Sequence, residues 1–140
     1  MKTKLSFFFG IIIWLLSASS CGDKQESLPY VYVNVTLSFT DLATIGVAQY
    51  KIFPDAGVNG IILYRKSDVE FQAFDLTCMY RPRSEGCKTA VDSTGFLVQC
   101  PCCKSVFNLF NDGLPQGGPA RQPLHQYSVY YTGSFLQISN

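Results

Sequence analysis

Histidine and charge are scarce in this chain. His125 is the one histidine in 140 residues, so a site that needs two imidazoles from a single chain is excluded by counting. Asp, Glu, Lys and Arg together make up 15% of the sequence and the formal net charge is +1. With so little excess charge, an electrostatic partner such as nucleic acid is not expected. Runs of helix-favouring charged residues are missing. No phosphate-cradling glycine loop, paired carboxylates or Ser/His/Asp set appears, which leaves hydrolase and nucleotide chemistry without support. No apolar run reaches the roughly 20 residues that a membrane-spanning helix needs.

What is present is apolar and aromatic. Hydrophobic residues form 47% of the chain, enough for a packed core and against wholesale disorder, in a length that suits one domain. Abundant Phe and Tyr with recurring turn residues point to a β-rich fold.

The N-terminus reads as an address. Lys2 and Lys4 precede the apolar run Leu5–Leu16, and the small residues Ser17–Ser20 lead to Cys21. A basic start, a run of about a dozen apolar residues and a small-residue site make a secretory signal. Ala18-Ser19-Ser20-Cys21 resembles a bacterial lipobox, which implies acylation of Cys21 and an exported protein anchored to a bacterial membrane, in the periplasm or at the outer membrane. Ordinary cleavage leaving a free thiol is the alternative. Loss of residues 1–20 removes two lysines and no acid, so the mature chain would carry −1. The expected division is a signal peptide over 1–20, a lipidated tether over 21–28, polar and flexible from Gly22 to Ser27, and one domain over 29–140.

Within that domain, residues 29–39 alternate, with Val31, Val33, Val35, Leu37 and Phe39 on one face, as in a half-buried strand. Residues 41–47 are open to either a helical turn or a loop. Short strands are expected at 50–53, 60–65 and 70–76, then at 90–92, 96–99 and 106–110. Residues 114–120 read as a Gly/Pro-rich loop, and 125–131 with 134–138 as a terminal hairpin. Eight or more strands and almost no helix mean a small antiparallel sandwich or barrel.

Five of the six cysteines fall between Cys78 and Cys103. The tail of that stretch, Cys100-Pro101-Cys102-Cys103-Lys104-Ser105-Val106-Phe107, resembles the second cluster-binding loop of Rieske iron–sulfur domains, Cys-Pro-Cys-His-Gly-Ser-x-Phe. By this resemblance Cys78 and Cys100 match the ligand cysteines, while Tyr80 and Cys103 stand where the family has its ligand histidines. Cys87 and Cys102 take roughly the places of a pair that forms a disulfide in some members. Ser105 matches a serine that hydrogen-bonds a bridging sulfide. Gly118-Pro119-Ala120, with Pro123-Leu124 and Tyr127, is similar to the segment that covers the cluster. The resemblance spans about residues 60–139 and implies a Rieske-like all-β fold with a cysteine-bearing loop subdomain.

A Rieske centre needs two histidines on one iron, and this chain cannot supply them. Four cysteines with suitable spacing remain as metal ligands: Cys78, Cys87, Cys100 and Cys103. Cys102 neighbours Cys103, and in an extended segment their side chains point apart. Tyr80, Cys102, Ser105 and Pro119 are expected around the site, and Arg81 and Arg83 are candidates to offset thiolate charge. Four thiolates suit a [2Fe–2S] cluster or tetrahedral zinc. Disulfides are the alternative in an oxidising compartment. If Cys21 is lipidated five cysteines remain, and four ligands with a spare thiol or two bridges with a spare fit equally. The resemblance implies an electron carrier with a redox partner protein. The competing expectation is a structural or binding lipoprotein held by zinc or disulfides, without redox activity. On either expectation the chain is read as an electron carrier or a binding module more than as an enzyme, and the sequence leaves that open.

Overall fold

Two largely apolar stretches between Ile61 and Leu76 build the centre of the molecule. In a computed structural model, which describes residues 26–140, these residues form the hairpin β3 (Ile61–Arg65) and β4 (Phe71–Asp75). All but Arg65 are buried in both strands, because the hairpin has a hydrophobic layer on each face. Tyr64 pairs with Gln72 and Ile62 with Phe74, so Ile62, Tyr64 and Phe74 share one face and Ile61, Leu63 and Ala73 share the other.

Around the hairpin lie β1 (Asn34–Ser38), β2 (Tyr50–Phe53), β9 (Gln126–Tyr131) and β10 (Phe135–Ser139), giving an antiparallel sheet ordered β1-β10-β9-β4-β3-β2. Val33 and Leu37 share a hydrophobic cluster with Ile61 and Leu63. In a flat sheet β1 and β3 would lie about 19 Å apart at ~4.8 Å per strand, so the sheet curls on itself like an open barrel. A second sheet, β5 (Ala90–Val91), β6 (Leu97–Gln99), β7 (Val106–Asn108) and β8 (Leu114–Gly117), carries the cysteine loops. It packs on the other face of the hairpin, where Val98, Phe107, Leu109 and Leu124 join Ile62, Tyr64, Phe74 and Leu76.

This is the all-β architecture with a cysteine-bearing subdomain expected from the sequence, with three local differences. The first strand is confined to Asn34–Ser38 because Ser38 caps a short helix, α1 (Phe39–Ala43). Its Oγ accepts from the Asp41 amide and the Asp41 carboxylate accepts from the Ser38 amide, a capping box that turns the chain away. Residues 114–117, expected as loop, pair with β7. Pro115 is tolerated there because β8 is an edge strand. Finally, residues 26–28 are not a free tether. Glu26 accepts from the amides of Arg83 and Ser84 at 3.0 and 3.3 Å, the Ser27 carbonyl accepts from Arg83 Nε at 2.9 Å, and Leu28 packs against the core cluster that contains Cys78 and Cys100. The expected signal segment and Cys21 lie outside the described residues. No helix among the described residues is long and apolar enough to cross a membrane.

Candidate metal centre

Two loops bring the cysteines together. The first leaves β4 and returns to β5, running beside itself. The Cys78 amide donates to the Cys87 carbonyl at 2.8 Å and the Thr89 amide to Leu76 at 2.7 Å, on either side of a Thr77–Lys88 bridge. The second joins β6 to β7. There the Cys100 amide donates to Ser105 at 2.8 Å and the Lys104 amide to Cys100 at 3.0 Å. Lys104 closes this knuckle at a φ of 62°, a left-handed conformation that costs a non-glycine residue about 1 kcal/mol. It stands where the resembled motif has glycine.

The first loop is braced by Asp75, which is completely buried. A carboxylate stripped of water needs donors, and five converge on it. Val58, Asn59 and Thr77 supply amides at 2.7, 3.4 and 2.9 Å, and the hydroxyls of Thr77 and Tyr127 complete the set. Asn59 Nδ2 then donates to Thr77 Oγ1 at 3.0 Å and to the Gly86 carbonyl at 2.9 Å. The network thus holds the residues just before Cys78 and Cys87. Burial, together with the Asp75 carboxylate that its hydroxyl donates to, pushes the Tyr127 phenol well above its ordinary pKa. Sequence reasoning passed over Asp75; a lone carboxylate in register with Phe71 and Ala73 on an apolar strand was the available signal.

The sulfurs of Cys78, Cys100 and Cys103 all lie within 4.8 Å of one another, and Cys78 Sγ is 3.5 Å from Cys103 Sγ. Sulfurs bound tetrahedrally to one zinc-sized ion at ~2.3 Å sit about 3.8 Å apart, so the trio has the spacing of a soft-metal site. Cys78 and Cys100 are buried and Cys103 is half-buried. Burial pushes the Cys78 thiol well above its ordinary pKa; the Tyr80 amide opposes this, and the Cys100 and Cys103 thiols add to it. Burial acts the same way on Cys103, but is outweighed by hydrogen bonds from the Ser105 hydroxyl and amide and from the Cys78 and Cys100 thiols, so Cys103 lies below its ordinary value. Ser105 Oγ is 3.1 Å from Cys103 Sγ and accepts the Ala120 amide at 3.0 Å. Gly118 lets the covering segment approach. A Cβ there would stand 2.5 Å from Ser105 Cα.

No family model matches this chain, and no curated protein matches it. Among solved structures it is similar to ferredoxins. The ferredoxin of carbazole 1,9a-dioxygenase from Nocardioides aromaticivorans IC177 is 17% identical, over 78% of this chain and 97% of that one, with a TM-score of 0.49. The ferredoxin of Sphingomonas yanoikuyae B1 is 15% identical, over 79% of this chain and 99% of that one, with a TM-score of 0.48.

One of the four expected ligands is corrected. Cys87 is bonded to Cys102 in a disulfide, so with the bridge closed its sulfur is not a thiolate donor. The bridge instead staples the first loop to the second. Of the residues expected nearby, Ser105 lies with its hydroxyl against Cys103 Sγ. Tyr80 packs beside the core with the Arg81 guanidinium over its ring at 5.1 Å. Pro119 is exposed while Ala120, beside it, is buried and reaches Ser105 with its amide. Arg83 serves the N-terminal segment. His125 is in no group of converging ligand atoms among the described residues; its ring stacks edge-on with Tyr127.

Three free thiols do not fit the groups the resemblance implies. A Rieske cluster takes two cysteines and two histidines, and an all-cysteine [2Fe–2S] cluster takes four thiolates. Tetrahedral zinc in a closed structural site also takes four ligands, whereas an open site takes three and a solvent molecule. The disulfide form matches only the last of these ligand counts.

Proposed function

We propose that this chain is an exported lipoprotein whose Rieske-type domain binds a soft metal on the thiolates of Cys78, Cys100 and Cys103. The observation that carries the reading is the convergence of three free thiols, donated by two loops, at metal-ligand spacing. Thiolates select Zn, Cu(I) and iron–sulfur centres over hard cations. The Ser105 hydroxyl beside Cys103 favours a centre whose sulfur ligands are tuned by hydrogen bonds. Electron transfer through an iron–sulfur centre, to a partner protein at the membrane, is the activity the resemblance implies, and it requires a fourth ligand beyond these three.

Acylation of Cys21 would tie the centre to the membrane surface. Glu26 is fastened to the first cysteine loop, and the five steps of chain from Cys21 to Glu26 span at most ~18 Å.

A second reading rests on the Cys87–Cys102 bridge. Because it already staples both loops, the fold stands as a scaffold without a metal, and the protein is then a binding lipoprotein without redox activity.

Elemental analysis of the full chain purified without oxygen, with a visible spectrum of the same sample, separates these readings. Iron with inorganic sulfide and visible charge-transfer bands means an electron carrier. Stoichiometric zinc or copper without those bands means a metal-binding module. Protein free of thiophilic metal leaves only the scaffold and overturns the proposal.

A further inference from the structure

The disulfide is not remote from the three-thiol site. Cys100 belongs to both sulfur groups: its Sγ lies within 4.8 Å of those of Cys78 and Cys103, and within the same distance of those of Cys87 and Cys102. The bridged cysteines differ in their surroundings. Cys87 is half-buried, packs against the core cluster that holds Cys78 and Cys100, and accepts the Cys78 amide at 2.8 Å. Cys102 is exposed.

We infer that the bridge is a latch on the metal site: reduction releases Cys87 as a fourth thiolate ligand beside Cys78, Cys100 and Cys103, and leaves Cys102 in solvent. The inference rests on the metal-binding reading and adds what controls it. The reductant is a dithiol. One of its thiolates attacks the accessible Cys102 sulfur, the Cys87–Cys102 bond breaks, and Cys87 leaves as a thiolate on the buried side. The second thiol of the reductant then attacks the mixed disulfide, which frees Cys102 and leaves the reductant as its own disulfide. Two electrons pass from dithiol to bridge. A divalent soft metal then takes the Cys87 thiolate, and the protons of the other ligands go to solvent. The site changes from three sulfurs with an open position to a closed tetrahedron.

The two bridge cysteines should therefore behave oppositely on substitution. Zinc affinity is measured on the full chain in detergent, by competition with a chromophoric chelator, before and after treatment with dithiothreitol and its removal. In the wild type, reduction should tighten binding at least tenfold. Cys102→Ser, which frees Cys87 permanently, should bind as tightly as the reduced wild type without any reductant. Cys87→Ser should keep the weaker affinity under both conditions. Equal behaviour of the two variants, or unchanged wild-type affinity on reduction, overturns the latch while leaving a three-thiolate site intact. Binding only after reduction overturns the three-thiolate reading while supporting the latch. Should either variant fail to fold, alkylation of reduced wild type decides: zinc should protect Cys87 and leave Cys102 reactive. Equal labelling of the two contradicts the inference.

Discussion

The sulfurs of Cys78 and Cys103 stand 3.5 Å apart although 25 residues separate them in the chain. Two independent anchors hold them there: the Asp75 network below the first loop, and the Ser105–Ala120 contact beneath the second. If this pair and Cys100 form the metal site, Cys78→Ser, Cys100→Ser and Cys103→Ser should each lower bound metal to well below one equivalent. Cys102→Ser should not. Metal content per chain by elemental analysis checks this, and equal loss from Cys102→Ser would show that the wrong sulfurs had been chosen.

Ser105 is fully buried and serves both Cys103 and the covering segment. Replacing it with alanine leaves the Ala120 amide without a partner, which costs about 1–3 kcal/mol. Urea unfolding of metal-free Ser105→Ala should show a loss in that range. An unchanged midpoint would mean that the hydroxyl does not hold the segment.

Gly118 sits at φ +82°, and a Cβ there would come within 2.7 Å of the Ser105 amide nitrogen as well as 2.5 Å of its Cα. Both neighbours are backbone and cannot swing aside. Gly118→Ala should therefore destabilise the protein by about 2–4 kcal/mol, combining left-handed strain with overpacking. A shift below about 0.5 kcal/mol in denaturant unfolding would contradict the close approach.

These residues also show how far the sequence could be read. The alternation of residues 29–39 marks a strand because one face of it must be apolar, and the consecutive apolar residues 61–64 mark one that is buried on both faces. The cysteine motif marks the loops because its prolines, cysteines and serine occur at fixed spacing. Two things were not legible from spacing and composition. Cys87 has suitable spacing both for a metal ligand and for a bridge, and only the resemblance pointed to Cys102, the partner it has in the structure. Glu26 sits in a polar segment with the composition of a tether, and only the fold brings the amides of Arg83 and Ser84 to its carboxylate.

Asp75 and Tyr127 give a pH prediction. With its phenol held above the ordinary value by burial and the adjacent carboxylate, Tyr127 stays neutral in the folded protein at pH values where the unfolded chain ionises, near pH 10. Its contribution to stability is fully present below about pH 10 and is lost as pH rises through the folded value. Between pH 9 and 11 the wild type should therefore lose stability more steeply than Tyr127→Phe, measured as urea midpoints. Parallel curves would contradict this. Asp75→Ala strands three backbone amides, and should cost about 3 kcal/mol or more at neutral pH.

The most direct test of the metal centre is X-ray absorption at the metal edge, on the full chain purified without oxygen. The account predicts a shell of three sulfurs at about 2.3 Å while the bridge is closed, and four after treatment with a dithiol. A shell of oxygen and nitrogen alone, or protein without metal, would contradict it.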